Sequence, residues 1–411
     1  MPRTHHAPGE VRPVKFQTLS STCGALVLTG LLSALAATPA QAATPIGWEG
    51  AALGLSAAQK RSQGEGVTVA VLDTGVEVDH PALKGRVTTG PDFRKDGLQP
   101  GNPKWGRHGT AMASDVLKVA PKAQILSVRV IDDEVNEELD RKEFEELRQR
   151  GESPVAQGIR YAVEHGADVI SMSLGDDDML SSYDKSEAAA VAYAARKGVI
   201  VLASAGNSGD VLNGGSYPAG YAGVISVAAV KPDGERADFS TVHTYNDVAA
   251  PGVDIASASN TGGYRSVDGT SPACALAAGV VALMHAENPK LSPAQANDVL
   301  IATTHRPPGG GNAMLGYGLI NADAAVKAAA APPKDRTGAV AYNGNEHLAA
   351  PDGTPKTTHP ELEQGLWMTG LIAAVAGLVS LIGGVFLARS GRRNDQAGTT
   401  HMMPPQGSYP S

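Results

Sequence analysis

Val67-Thr68-Val69-Ala70-Val71-Leu72-Asp73-Thr74-Gly75, residues 67–75, is an apolar, β-branched run that breaks on a carboxylate and a glycine turn. A run this short is below helix length and has the character of a strand buried on both faces. Four further runs share that character: ILSVRVI at 125–131, DVISMS at 168–173, VIVLAS at 199–204 and VISVAAV at 224–230. Between and after them lie helical spacings at 154–166 and 185–197 and an Ala-, Val- and Leu-rich helix at 271–286. Ser292-Pro293-Ala294-Gln295 starts another helix, with Ser as N-cap, Pro at the first helical position and Gln three residues after the cap. Near-continuous apolar strands alternating with helices predict an α/β fold of three layers, a mostly parallel central sheet covered on both faces.

This α/β region fills residues 43–330 of the 411-residue chain, and the flanks have a different composition. Residues 1–22 carry Arg3, Arg12 and Lys15, residues 23–36 are largely apolar, and Ala40-Gln41-Ala42 supplies a small-x-small cleavage pattern. That order predicts a signal peptide over 1–42, with an uncleaved anchor as the alternative. Residues 331–365 are rich in Pro, Gly, Thr and charge without apolar period, as in a flexible linker. Leu366 to Ala388 carries no charged side chain and as a helix spans about 34 Å, enough to cross a bilayer. Arg389, Arg392 and Arg393 follow directly, which places the tail 389–411 in the cytoplasm and the α/β domain outside the plasma membrane, on a single pass.

A net charge of −8 offers no basic surface for phosphate backbones, which argues against nucleic acid as a partner. Only two cysteines occur, Cys23 in the leading apolar segment and Cys274, so a processed chain has no intramolecular disulfide. The fold then rests on its core.

Three residues stand where chemistry is done. Asp73 ends the opening strand, where a buried carboxylate can orient an imidazole or simply cap a turn. His108, in His108-Gly109-Thr110, opens a short helical pattern at 109–118, and Gly109 admits close approach of another chain. Ser271, in Gly269-Thr270-Ser271-Pro272-Ala273, begins an apolar helix whose N-terminus favours developing negative charge, although an ordinary N-cap serine has the same surroundings.

Together these motifs resemble the subtilisin family, whose catalytic residues come in the order Asp, His, Ser. The resemblance is carried by DTG at 73–75, HGT at 108–110, SLG at 173–175, AGN at 205–207 and GTSPA at 269–273, over most of 66–330. It implies a three-layer subtilisin-like fold and a serine endopeptidase acting on polypeptides. In it Ser271 is nucleophile, His108 base and then acid, and Asp73 the orienting group. Asn207 is implied as the oxyanion-hole amide, and Ser173, Leu174, Gly175, Ala205 and Gly206 as the lining of a cleft where an extended peptide adds as a strand. No cofactor is implied. Asp176, Asp177 and Asp178 would favour basic substrate side chains if they face the cleft, and are a solvated acidic loop otherwise.

The chain departs from the family pattern in two places. Between His108 and residue 125 it is about ten residues shorter than typical subtilisins, where a calcium-ligating loop commonly falls, and Ala82 follows His80-Pro81 where a carboxylate would help bind that ion. No metal site is expected, and His80 is read as shaping a turn. Only about 30 residues separate Ala42 from Asp73, too few for a folded inhibitory pro-domain. Short N-terminus, single catalytic domain, linker and C-terminal helix are similar to the mycosins, membrane-anchored subtilisin relatives associated with type VII secretion. Secretion-system membrane proteins are therefore expected partners. The alternative from another class is a scaffold component of such a complex. The charged stretch 132–152 suits a surface helix or a docking element, and Cys274 a packing residue.

Overall fold

The computed structural model describes residues 44–133, 151–175, 183–335 and 364–397. The expected signal peptide, nearly all of the linker, the end of the tail, the charged stretch 134–150 and Asp176 to Asp178 lie outside the described residues.

Seven strands form one parallel sheet: β1 (Thr68–Asp73), β2 (Val87–Asp92), β3 (Gln124–Arg129), β4 (Val169–Met172), β5 (Ile200–Ser204), β6 (Val224–Val230) and β7 (Asn246–Pro251), in the order β2-β3-β1-β4-β5-β6-β7. Every pairing is parallel, with Asp73 opposite Arg129 at the end of the β1–β3 ladder. An antiparallel pair, β8 (Ile255–Ala258) and β9 (Tyr264–Val267), stands apart. The five apolar runs are all strands, within a residue or two of their expected ends. The strands β2 and β7 carry no such signal: β2 is VTTGPD, mostly polar because it lies at a sheet edge.

The unbroken apolar runs exist because successive side chains serve different layers. Val69, Val71, Ile125, Ile200 and Leu202 join one core, while Ala70, Leu72, Leu126, Val201 and Ala203 join the other. The second core is closed by α4 (Pro154–Glu164) and α5 (Lys185–Arg196), begun by Ser153 and Asp184 side-chain caps. The first is closed by α3 (Arg107–Val119) and α6 (Thr270–Glu287), with α2 (Leu55–Arg61), α7 (Pro293–Thr303) and α8 (Ala322–Ala329) around them, and short α1 (Trp48–Ala52) at its edge. The capping box expected at Ser292 is formed with Gln295. From Pro272 to His285 every residue of α6 is buried, the arrangement required of a helix apolar on all sides.

The helix α9 (Gln364–Ala397) contains the expected span. Its segment Met368–Val385 is long and apolar enough to cross a membrane, and almost all its side chains are exposed. Two apolar helices thus have opposite surroundings: α6 is buried among the strands, while the side chains of that α9 segment are almost all exposed among the described residues.

The sheet order reverses at β1, which has β3 on one side and β4 on the other. In open α/β sheets the crevice outside the carboxyl ends of the strands at such a switch is where ligands sit. Asp73 is the last residue of β1.

Candidate active site

The Asp73 carboxylate is buried at 1% exposure and accepts from Thr74 N–H at 2.7 Å. Its oxygens lie 2.9 and 3.0 Å from His108 Nδ1. A carboxylate in this position only accepts, so Nδ1 carries the proton and donates, which leaves Nε2 as the lone-pair nitrogen of the neutral ring. Both readings of Asp73, turn cap and imidazole partner, are realised at once.

This contact depends on α3 seating tightly on the end of β1. A Cβ at Gly109 would stand 2.2 Å from Gly75 O and 3.1 Å from Asp73 Cβ, so any larger residue would push the helix and its histidine away. Gly109 N–H donates to Thr74 Oγ1 at 3.1 Å, fixing the same seam. The helix starts at Arg107, so His108 belongs to its first turn, two residues earlier than the pattern suggested. Its side chain keeps 28% of its surface exposed. Burial pushes the imidazole toward the neutral form, but the charge and hydrogen bond of Asp73, with the charge of Asp133, outweigh burial and a nearby Arg265, holding His108 above its ordinary value.

Ser271 is the second residue of α6, and Gly269 is its N-cap, with no side-chain cap. The serine is therefore not spent on capping. Its hydroxyl donates to the carbonyl of Ser173 at 3.3 Å, while Ser173 Oγ donates to the carbonyl of Ser271 at 2.9 Å. These two bonds tie the end of β4 to the start of α6. Asp73 and His108 are thus joined directly, and Ser271 is tied to Ser173, just past the carboxyl end of β4, the strand that pairs with β1; among the described residues no hydrogen bond joins Ser271 to His108.

Asn207 follows β5 and is exposed. Its Oδ1 accepts from Thr270 N–H at 2.8 Å and from Thr270 Oγ1 at 3.0 Å, and Thr270 Oγ1 also accepts from Gly206 N–H at 3.2 Å. The side chain therefore binds across the fold to the start of α6. With its carbonyl end turned to Thr270, the amide nitrogen of Asn207 is directed away from it, and Asn207 and Ser271 flank the same helix N-terminus. The fully buried Thr270 escaped sequence reading because a threonine before the candidate serine has no distinctive pattern.

The expected cleft residues line up along the same rim. Ser204 Oγ donates to Leu174 O at 3.2 Å, and Tyr245 Oη to Ala205 O at 3.1 Å. Gly175 abuts Ser216, whose Oγ would lie 2.2 Å from a Cβ there, so a larger residue would have to turn that hydroxyl aside. Two other readings, of Cys274 and His80, agree with the geometry. Cys274 is fully buried against Ser171 and Met172, its thiol pushed up to about 12 by burial, a packing residue with no thiolate to offer. His80 Nδ1 accepts from Ala82 N–H at 3.2 Å and its Nε2 lies 2.9 Å from Gly263 O, which shapes the turn after β1. Among the described residues no group of His, Cys, Asp and Glu is arranged to hold a metal ion.

Sequence reading also missed Asp133. It lies in the charged stretch read as a surface helix, yet its carboxylate accepts from the N–H groups of Arg107 and His108, each at 2.8 Å. Only its three-dimensional neighbours reveal this, since 25 residues separate it from His108.

A family model described as the subtilase family matches residues 64–318. Thermitase of Thermoactinomyces vulgaris is 38% identical over 231 residues, covering 54% of this chain and 76% of thermitase. A solved structure of a serine protease MycP1, described as an essential component of the type VII (ESX-1) secretion system, is 29% identical with a TM-score of 0.58, over 70% of this chain and 90% of that one. MycP1 from Mycobacterium smegmatis is 25% identical with a TM-score of 0.58, over 79% of this chain and 90% of that one.

Proposed function

The chain belongs to the subtilase family and is a subtilisin-like serine endopeptidase, and on that premise we propose that Asp73, His108 and Ser271 perform its peptide-bond hydrolysis. The observation that carries this is the Asp73 carboxylate, buried and placed with both oxygens on His108 Nδ1. That bond fixes the tautomer in which Nε2 accepts a proton. Rotation of the Ser271 hydroxyl away from its weak acceptor, Ser173 O, brings it to that nitrogen when substrate enters.

The serine oxygen then attacks the scissile carbonyl while its proton passes to His108, and Asp73 stabilises the imidazolium. Negative charge on the tetrahedral oxygen meets the N-terminus of α6 and the Asn207 amide, each such donor contributing about 3 to 4 kcal/mol to the transition state. Collapse expels the amine, protonated by His108, and water repeats the sequence on the ester. Ser173, Leu174, Gly175, Ala205 and Gly206 present main chain along the rim and receive the peptide as an added strand.

We further propose that the helix through residues 366–388 anchors the enzyme in the plasma membrane with its catalytic domain outside, and that it serves a type VII secretion complex. The mycosin neighbours and the apolar segment Met368–Val385 support this reading. A chain ending before residue 364 should leave the membrane fraction with its protease activity intact, and retention there would refute the anchor.

Ser271→Ala should abolish hydrolysis and fluorophosphonate labelling while leaving the circular dichroism unchanged. Persistence of either activity would remove Ser271 as nucleophile. The description of MycP1 as an essential component also favours a second role, support of the complex itself. Cells carrying Ser271→Ala separate the two, because secretion that survives without hydrolysis assigns the protein a scaffold role.

A further inference from the structure

We propose that Asp133 is a positioning residue that holds the first turn of the histidine helix and, by its charge, helps set the pH below which the enzyme stops working. This rests on His108 acting as the base.

The first four N–H groups of a helix have no partners within it. In α3 the N-cap is Gly106, in the left-handed region at φ 63°, with no side chain to offer. Thr74 O takes the N–H of Gly106 itself, Asp133 takes those of Arg107 and His108, and Thr74 Oγ1 takes that of Gly109. One carboxylate therefore grips the backbone of the histidine whose ring another carboxylate grips.

The site is built rather than incidental. The adjacent Asp132 is clamped by Arg129 and by Arg94, and Arg129, 2% exposed, also binds Asp92 at 2.9 Å and Asp96 at 2.7 Å. This network fixes the chain as it leaves β3, so that Asp133 meets the helix with both oxygens. The charged groups facing His108 are Asp73 from β1, Asp133 from the chain after β3 and Arg265 from β9, with Arg107 beside it on its own helix. From α6 the nearby titratable group is Cys274, a neutral thiol. Two carboxylates thus outnumber Arg265, and burial that would favour neutral imidazole is overcome. A base must be unprotonated, so each anion near His108 shifts the loss of activity to higher pH.

The test is the pH profile of kcat/KM for the full-length protein and for Asp133→Asn, Asp133→Ser and Asp133→Glu. The asparagine variant keeps an acceptor oxygen and the serine variant a hydroxyl, both without the charge, and the glutamate variant keeps the charge. In Asp133→Asn and Asp133→Ser the acid limb should move to lower pH, so that activity near pH 5.5, relative to each protein's own plateau, rises roughly two- to fivefold. Asp133→Glu should return the limb toward the parent's position. A limb that stays in place in every soluble variant overturns the proposal, even where the melting temperature falls, because a purely structural cap would lower stability alone. A parent with no acid limb would instead overturn His108 as base, and the role of Asp133 with it.

Discussion

The two ends of α3 carry the same kind of charge set in different surroundings. At the N-terminal end His108 stands between Asp73 and Asp133. At the other end Lys118 Nζ stands between Glu49 at 2.9 Å and Asp115 at 3.4 Å, with Ala256 O at 2.9 Å. His108 keeps 28% of its side chain exposed, whereas the Lys118, Glu49 and Asp115 side chains are all at 0%. An imidazole with part of its surface open can lose and regain a proton near neutral pH, while three side chains sealed from solvent meet no substrate. In the proposed mechanism one end exchanges protons with a substrate, and the other only holds parts together. What it holds is α1, which precedes the family-matched region 64–318 and is fastened by Glu49 to the helix bearing His108.

The comparison is broken most strongly by removing one member from each end. Asp73→Asn should lower kcat by about 10⁴-fold, because the amide favours the wrong imidazole tautomer, while the melting temperature changes little. A loss of tenfold or less would show that Asp73 does not orient the base. Lys118→Met should do the reverse. It leaves two buried carboxylates without a cation, at a cost of about 3–5 kcal/mol in urea unfolding, while the activity of each folded molecule persists. Replacing all three residues by apolar ones should recover most of that stability, since a filled apolar site avoids desolvating charge. Lost catalysis at unchanged stability in Lys118→Met would show that the two ends are not separate in function.

The same contrast explains what could be seen in the sequence. Asp73, His108 and Ser271 sit at element boundaries, where a strand's apolar run stops or a helix begins, so periodicity and glycine turns marked them as candidates, and the resemblance carried by the motifs around them supplied their roles. The five central strands were visible because burial on both faces demands unbroken apolar runs. The edge strand β2 and the late strand β7 lack such runs. Glu49, Lys118 and Asp133 had no local signal, because each is defined by a partner 69 or 25 residues away. A charged residue in a helical pattern ordinarily faces water, and only the closed fold shows Lys118 buried at 4% exposure overall.

The finest distinction between the two ends is in their titration. Burial pushes Asp115 up to about 6, against the opposing charge of Lys118 and the hydrogen bond from Ser257, and Glu49 adds to the rise. A carboxyl whose folded value lies above its ordinary 3.8 contributes stability that is fully present below about pH 4 and is lost as pH rises through 6. Asp115→Asn removes that dependence while keeping an oxygen for the Ser257 hydroxyl, which donates to it at 2.7 Å. Relative to the parent, the variant should therefore gain stability between pH 4 and pH 7, by no more than about 3 kcal/mol. Urea unfolding at both pH values measures this difference of differences, which does not depend on what the substitution costs in packing. Equal parent-to-variant differences at the two pH values would mean that Asp115 ionises as freely as an exposed carboxylate. The sealed end of α3 would then be wet, and the division between a holding end and a reacting end would fail.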